Sequence, residues 1–120
     1  MKPSEIIVAD AQERNLQPEI ILGAVNRMLQ SKNAVMLQKN DSVLLLEKIE
    51  PSIVALHLFS EDSPMTLVKS IKFFIEKIRQ SGIQAVYGLA DNQQIIQLLT
   101  SLGVPVQESD RPNYNWMAMV

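Results

Sequence analysis

Residues 85–104, AVYGLADNQQIIQLLTSLGV, contain the strand–turn–helix unit from which we infer the fold of this chain. Residues 85–89 are apolar enough to form a short buried strand, and residues 90–91 follow as a turn. From residue 92 to residue 102 the isoleucines and leucines recur at helical spacing. This spacing predicts a helix with one broad apolar face.

The ends of this predicted helix carry local signals of their own. Asp91 or Asn92 can act as the N-cap, because either side chain offers an oxygen to an unpaired N–H of the first turn. Gly103 suits the left-handed position that ends many helices, and Pro105 prevents the helix from continuing.

Length and composition exclude several classes of protein. With 120 residues, 47% of them hydrophobic, the chain is expected to form one domain over residues 1–120 with a real core. A net charge of −2 gives no electrostatic case for a nucleic-acid partner. No apolar run is long enough to span a membrane, and no signal segment opens the chain, so we expect a cytoplasmic protein. Because cysteine is absent, disulfides and thiolate catalysis are excluded.

Hydrophobic periodicity predicts the remaining elements in both directions from residues 85–104. Before that unit the pattern predicts helices over residues 4–15 and from residue 18 to a break at 31–33, and then strands over residues 34–39, 42–49 and 53–59. A long helix follows, from residue 64 to 81–82. After the unit come a short strand over residues 104–107, a polar loop and a last strand over residues 114–120. This order, ααβββαβαβ with a terminal strand or hairpin, predicts an α/β (or α+β) fold. In it, a mixed, mostly antiparallel sheet is flanked by helices.

Several local features sharpen this prediction. Ser4 is a candidate N-cap of the first helix, and Ser63 or Asp62 of the long helix. Gly23 lies inside the second helix, where we interpret it as a site of close packing. The run of apolar residues over 43–46 is expected to be buried on both faces of the sheet.

Residues 92–104 resemble a sequence motif of the GNAT N-acetyltransferases, which Asn92, Leu98, Leu102 and Gly103 match. Residues 114–117, YNWM, resemble the aromatic terminal strand of that family, and the order of elements is similar over nearly the whole chain. The resemblance implies the GNAT fold. It also implies a site for acetyl-CoA at the start of the long helix.

The loop before the long helix departs from the family pattern. In the family this loop is rich in glycine, carries a basic residue and holds the pyrophosphate of coenzyme A through backbone N–H groups. Here residues 60–66 contain no Gly, Arg or Lys, and Pro64 lacks an N–H. Glu61 and Asp62 are expected to place carboxylates where the phosphates would sit.

If acetyl-CoA does bind, the resemblance assigns its contacts to Ser63, Met65, Thr66 and Asn92. Leu99 stands where many family members carry the tyrosine that protonates the leaving thiolate. Because leucine has no proton to give, that role is vacant.

No residue can be assigned a catalytic role from sequence alone, and His57 and Tyr114 are the candidates. His57, the single histidine, is either a general base or a packed, hydrogen-bonded side chain of the third strand. Tyr114 or Tyr87 could replace the missing acid, and either could equally pack with its hydroxyl at the rim. Glu47 and Glu50 could activate an amine through water, or could simply face solvent.

Two functions follow from this sequence. In the first, the chain is a GNAT-fold protein with a degenerate acyl-CoA site. It would be a non-catalytic binding or structural protein that needs no cofactor and binds a protein partner or a second copy of itself. It then resembles the acetyltransferase-like proteins of tailed phages, and could be located in the virion. The alternative is an active N-acetyltransferase that moves acetyl from acetyl-CoA to an amine.

Overall fold

The computed structural model describes residues 1–89 and 93–120. The elements in chain order are α1 (Pro3–Glu13), α2 (Pro18–Gln30), β1 (Ala34–Lys39), β2 (Ser42–Glu50), β3 (Ile53–Ser60), α3 (Pro64–Gln80), β4 (Ala85–Gly88), α4 (Gln93–Ser101), β5 (Val106–Glu108) and β6 (Trp116–Met119). The predicted order is confirmed, and the chain ends in a hairpin of two short strands. The last strand is shorter than the predicted 114–120.

The strands form one sheet of six, in the order β1-β2-β3-β4-β6-β5. Strands β1, β2 and β3 are antiparallel neighbours, and so are β4, β6 and β5. Among the strands of the described residues, the one parallel pair is β3 with β4, which α3 connects. The sheet is therefore mixed and mostly antiparallel.

Both faces of the sheet are covered by helices. Leu44 and Leu46 of β2 point into a core with α3 and α4, where Phe74 is 1% exposed. Val43 and Leu45 point the other way, into a second core with α1 and α2. Because successive strand residues face opposite sides, the unbroken apolar run of β2 reflects burial on both faces.

The predicted cap of α1 is wrong. Ser4 lies within the helix, and Lys2 is the N-cap. The reason is Pro3, whose fixed φ and missing N–H suit the first helical position. The Lys2 N–H is then satisfied by the Glu5 carboxylate at 2.7 Å.

The described ends of α3 and α4 agree with the sequence predictions. Ser63 caps α3, and its hydroxyl oxygen accepts the Thr66 N–H at 3.4 Å. Gly103 has a φ of +83°, as expected for the residue that ends α4. Asp91 and Asn92, the predicted caps of α4, lie outside the described residues.

The interpretation of Gly23 as a site of close packing is also wrong. A Cβ placed there would meet only the Arg27 guanidinium of the same helix, at 3.4 Å. Among the described residues, no helix is long and apolar enough to cross a bilayer.

Candidate functional site

The candidate site is the opening where strands β3 and β4 diverge. The two strands pair only through residues 53–55 of β3, and residues 56–60 continue beyond the last pair. The Glu61 N–H donates to the Asp41 carbonyl beside β2 at 2.9 Å. Because the backbone groups of successive strand residues point to opposite sides, those of Ser60 point away from β2 and toward the opening. For the same reason the backbone groups of Leu58 and Leu56 point toward the opening.

A carboxylate of the chain itself occupies the edge of this opening. Asp10 of α1 accepts the Ser60 N–H through Oδ2 at 3.0 Å. Its other oxygen, Oδ1, accepts two bonds from the Arg14 guanidinium, at 2.7 Å from Nε and 2.6 Å from Nη2. Asp10 therefore satisfies a donor of β3 that a bound ligand would otherwise use, and Arg14 balances its charge.

The cavity that remains beside Asp10 is small. Its volume is about 120 Å³, and its lining comprises Asp10, Arg14, Leu58, Ser60, Leu67, Gln94 and Ile95. Pockets that enclose a small-molecule ligand usually measure about 300–1,000 Å³. Two of the lining side chains are buried, since Leu67 and Ile95 are 2% and 3% exposed.

Asp62 does not face the expected phosphate position. Its Oδ1 accepts the Asp41 N–H at 3.0 Å, and its Oδ2 accepts the hydroxyls of Ser42 at 2.6 Å and Ser70 at 2.9 Å. Both serines are fully buried. The Asp62 carboxylate thus joins the β1–β2 turn, β2 and α3 from inside, and this part of the sequence prediction is wrong.

Glu61 supplies the negative charge of this loop. The pKa of its carboxyl is raised by burial, by a hydrogen bond with Glu13 and by the negative charges of Glu13, Asp10 and Asp41. Because the nearby anions favour the protonated form of Glu61, they make the electrostatic potential at its carboxyl more negative. A phosphate brought to this end of α3 would meet the same repulsion.

Of the residues predicted to bind cofactor, Ser63, Met65 and Thr66 lie at the start of α3. Thr66 gives its N–H to Ser63, whose hydroxyl in turn donates to Thr66 Oγ1 at 3.1 Å. The Met65 side chain projects into solvent and is 80% exposed. Asn92 lies outside the described residues. Leu99, at the position of the family tyrosine, is 3% exposed in the α3–α4 core, away from solvent.

His57 and Glu47 form a pair on the α1–α2 face of the sheet. His57 Nε2 lies 3.3 Å from Glu47 Oε1, and their side chains are 24% and 34% exposed. In the tautomer whose Nε2–H donates to the Glu47 carboxylate, Nδ1 of His57 is an acceptor. The pair can therefore take up a proton at Nδ1. His57 also lines a 160 Å³ pocket with Arg14, Leu16, Ile21, Leu58, Phe59 and Leu89.

The two phenols lie together, with ring centroids 5.7 Å apart. Tyr87 donates its hydroxyl to Asp110 Oδ1 at 2.6 Å, and this bond is the main reason that the Asp110 pKa is lowered. The pKa of Tyr114 is raised, first by burial and then by the charge of Glu47, whereas Arg111 opposes the shift. Tyr114 therefore keeps its proton at neutral pH.

Arg111 ties the loop before β6 to the rest of the sheet. Its guanidinium lies 5.0 Å from the centre of the Tyr87 ring, and its Nη2 donates to Glu50 Oε2 at 2.9 Å. These contacts raise the Arg111 pKa, mainly through hydrogen bonds to Tyr87 and Glu50. Sequence reasoning missed Arg111, Asp110, Asp10 and Arg14, since no local pattern distinguishes them from ordinary surface charges.

Three solved structures share this architecture. A domain from Methanocaldococcus jannaschii is 16% identical, with a TM-score of 0.57 over 88% of this chain and 75% of that one. The ribosomal-protein-S18-alanine N-acetyltransferase of Escherichia coli is 11% identical, with a TM-score of 0.54 over 99% of this chain and 86% of the enzyme. Campylobacter jejuni N-acetyltransferase PseH, solved with acetyl coenzyme A, is 12% identical, with a TM-score of 0.56 over 100% of this chain and 92% of the enzyme.

These similarities establish the fold alone. Neither a protein-family model nor a curated protein sequence matches the chain. The fold is that of the GNAT N-acetyltransferases, as the resemblance of residues 92–104 implies. Within residues 1–89 and 93–120, no group of three or more His, Asp or Glu side chains is close enough to hold a metal ion.

Proposed function

We propose that this GNAT-fold chain is a non-catalytic binding or structural protein whose acyl-CoA site is degenerate. The observation that carries the proposal is the hydrogen bond from the Ser60 N–H to Asp10 Oδ2, at 3.0 Å. It places a carboxylate and its guanidinium partner at the edge of the opening between β3 and β4.

Three further observations support the proposal that acetyl-CoA does not bind here. The cavity beside Asp10 measures about 120 Å³. The first turn of α3 is capped by the Ser63 side chain and has lost one donor to Pro64. Glu61 is close enough to Glu13, Asp10 and Asp41 for their negative charges to add to the effect of burial in raising its pKa. Each of these disfavours a ligand with a pyrophosphate group.

The proposed ligand is a protein, either a different partner or a second copy of the chain. A net charge of −2 gives no support to nucleic acid or an anionic membrane as the partner. The resemblance to acetyltransferase-like proteins of tailed phages adds the virion to the cytoplasm as a proposed location.

Thermal unfolding with and without acetyl-CoA tests the proposal. A ligand at 100 times its dissociation constant stabilises the folded state by about 2.7 kcal/mol, which is easily measured as a rise in Tm. We expect no rise for the unaltered chain, with PseH of Campylobacter jejuni as the positive control. An upward shift of the unaltered chain would reject the proposal, whereas a shift gained only in Asp10→Ala would support the stated role of Asp10.

One observation favours the alternative of an active N-acetyltransferase. The Glu47–His57 pair lies beside a pocket and can accept a proton from an amine. If the chain transfers acetyl groups, His57→Gln should abolish transfer from labelled acetyl-CoA to amines. Lys48→Gln, next to Glu47 but on the other face of β2, is the matched control and should leave activity unchanged. Absence of transfer by the unaltered chain over a panel of amines would exclude this alternative.

A further inference from the structure

An apolar groove lies beside β1, on the face of the sheet that packs against α3. Its volume is about 260 Å³, and we call it the edge groove. Its apolar surface comes from one residue of each of three neighbouring strands and from one residue after α3, namely Val35, Leu46, Val54 and Ile83. Val35 is 57% exposed although it belongs to a strand, so α3 leaves this corner of the sheet uncovered.

Two lysines border the edge groove. Lys32 precedes β1, and Lys48 follows Leu46 by two residues on β2 and therefore shares its face of the sheet. Both lysines are exposed, and neither makes an ion pair with another residue in the described ranges. Glu50 also lines the groove, but its carboxylate is paired with Arg111 at 2.9 Å. The charge of the groove therefore favours an occupant that carries a carboxylate.

The backbone of β1 is open along its outer side. β1 is the first strand of the described sheet, with β2 as its neighbour. The Lys48 N–H donates to the Asn33 carbonyl at 2.7 Å, so the backbone groups of Asn33 face β2. Because this direction alternates along an antiparallel strand, the N–H and C=O groups of Ala34 and Met36 face outward. No hydrogen bond from another part of the described chain reaches these four groups.

We propose that an extended segment of a partner protein adds to the sheet as a seventh strand beside β1. Its backbone pairs with the outward groups of Ala34 and Met36. One of its apolar side chains enters the edge groove against Val35. An acidic side chain two positions away meets Lys32 and Lys48.

The spacing of the two side chains follows from strand geometry. Residues two positions apart on a strand share a face and lie about 7 Å from each other, so one apolar and one acidic residue reach the same groove. Peptides that add to an open sheet edge gain affinity from main-chain hydrogen bonds and specificity from pockets for alternate side chains. The backbone of β1 supplies the first of these contributions, and the edge groove with its lysines supplies the second.

Volume and charge argue against the other occupants. Sites that enclose a small molecule usually measure about 300–1,000 Å³, more than this groove offers, whereas a single apolar side chain needs less. A second copy that paired through its own β1 in antiparallel fashion would bring Lys32 of one copy toward Lys39 of the other, and lysine at an edge strand discourages such pairing. A segment with a carboxylate meets attraction at the same place. The inference rests on the proposed function in one respect, the choice of a protein as the partner.

Selection from a displayed library of random eight-residue peptides, with the full chain as bait, tests the inference. We expect the enriched peptides to carry Asp or Glu two positions from a large apolar residue and to be poor in Lys and Arg. The affinity of the most enriched peptide is then measured by fluorescence anisotropy at low salt. Lys32→Glu with Lys48→Glu should weaken binding at least about tenfold. Lys69→Glu with Lys72→Glu, an equal change of charge at exposed positions of α3, is the matched control and should retain binding. Unchanged Tm values would confirm that both variants fold.

Amide hydrogen exchange followed by NMR tests the strand pairing itself. The bound peptide should slow exchange at Ala34 and Met36, whose N–H groups face outward, and should have less effect at Val35, whose N–H faces β2. N-methylation of the peptide at a residue that faces β1 should abolish binding, whereas N-methylation of the next residue should not.

Three results would overturn the inference: a library without enrichment, enrichment of basic peptides, or binding that leaves exchange at Ala34 and Met36 unchanged. Failure of these tests together with an absent acetyl-CoA shift would refute only this inference and leave the proposed loss of the acyl-CoA site standing. A rise in Tm with acetyl-CoA while the peptide also protects β1 would refute the loss of the acyl-CoA site and leave the binding edge in place.

Discussion

The indole ring of Trp116 lies directly on the backbone of Gly88, its partner across strands β6 and β4. A Cβ at residue 88 would overlap Cζ2, Cε2 and Nε1 of the ring. The indole Nε1–H donates to the Leu89 carbonyl at 3.0 Å, and the side chain is 3% exposed. The contact fixes the point at which β4 leaves β3 and the opening begins.

Gly88→Ala should therefore destabilise the protein. The added methyl group forces the indole away from its position, and overpacking of this kind costs about 1–3 kcal/mol. The measurement is the free energy of unfolding in urea. Gly23→Ala in α2 is the matched control with the opposite sign, because space is available there and alanine favours the helix by about 0.5–1 kcal/mol. Equal effects of the two substitutions would contradict the packing described for Trp116.

Removal of the Asp62 carboxylate should also destabilise the protein. Asp62→Ala removes the acceptor of the Asp41 N–H and one of two partners of each buried hydroxyl, since Ser42 keeps Ser60 Oγ and Ser70 keeps the Lys39 carbonyl. A buried group that loses its partner costs about 1–3 kcal/mol, and we expect a total loss in that range. Asp62→Asn should cost less than Asp62→Ala, since the hydroxyls of Ser42 and Ser70 can rotate to accept bonds from the amide.

A suitable control for Asp62 is Glu76→Gln, which changes an exposed carboxylate of α3 and should shift stability by less than about 0.5 kcal/mol. Chemical denaturation of the three variants measures all of these values. If Asp62→Ala were as mild as the control, the carboxylate would not be the acceptor of the buried serines.

Local sequence signals were sufficient for most of the fold. The apolar run over residues 43–46, the turn at Asn40 and the glycine after α4 each carry a physical cause within a few residues. Asn40 indeed has a φ of +52°, a conformation that asparagine tolerates. The prediction that Ser4 caps α1 was wrong because Pro3 also favours a helix start. Residue preferences alone do not decide between these two starting points.

The site could not be predicted in the same way. Asp10 and Ser60 are 50 positions apart, and their bond depends on how α1 packs on the end of β3. Glu61 and Asp62 are adjacent, so the sequence suggested one shared location. Successive residues of extended chain face opposite ways, however, and Asp62 turns inward while Glu61 meets Glu13.

Glu61 should make the stability of the protein depend on pH. The pKa of Glu61 is raised above its ordinary value of 4.5, so the folded state binds a proton more tightly than the unfolded chain does. Stability is then highest below pH 4.5 as far as this group is concerned, and it is lost as pH rises through the raised pKa. Burial is the first cause of this shift, followed by Glu13, Asp10 and Asp41. Arg14 is paired with Asp10, and the N-terminal amine is paired with Asp41.

Glu61→Gln removes this dependence and should raise the free energy of unfolding at neutral pH by about 0.5 kcal/mol. The gain should vanish well below pH 4.5, where the carboxyl is protonated in both states. Urea unfolding over the acid range measures the difference. A loss of stability at neutral pH would mean that Glu61 contacts a cation instead of Glu13.

The two acidic residues at the end of β2 should act differently on Tyr114. Its pKa is raised by burial and by the negative charge of Glu47, and Glu50 does not contribute. Glu47→Gln should therefore lower the Tyr114 pKa toward its ordinary value of 10.0, and Glu50→Gln, the matched control, should leave it in place. Titration of the tyrosine ring carbons by NMR resolves Tyr114 from Tyr87. Because a raised phenol pKa stabilises the fold below pH 10 and the benefit is lost at higher pH, Glu47→Gln should also flatten the fall in stability in alkali. An unchanged Tyr114 pKa would place Glu47 too far from the phenol to act on it.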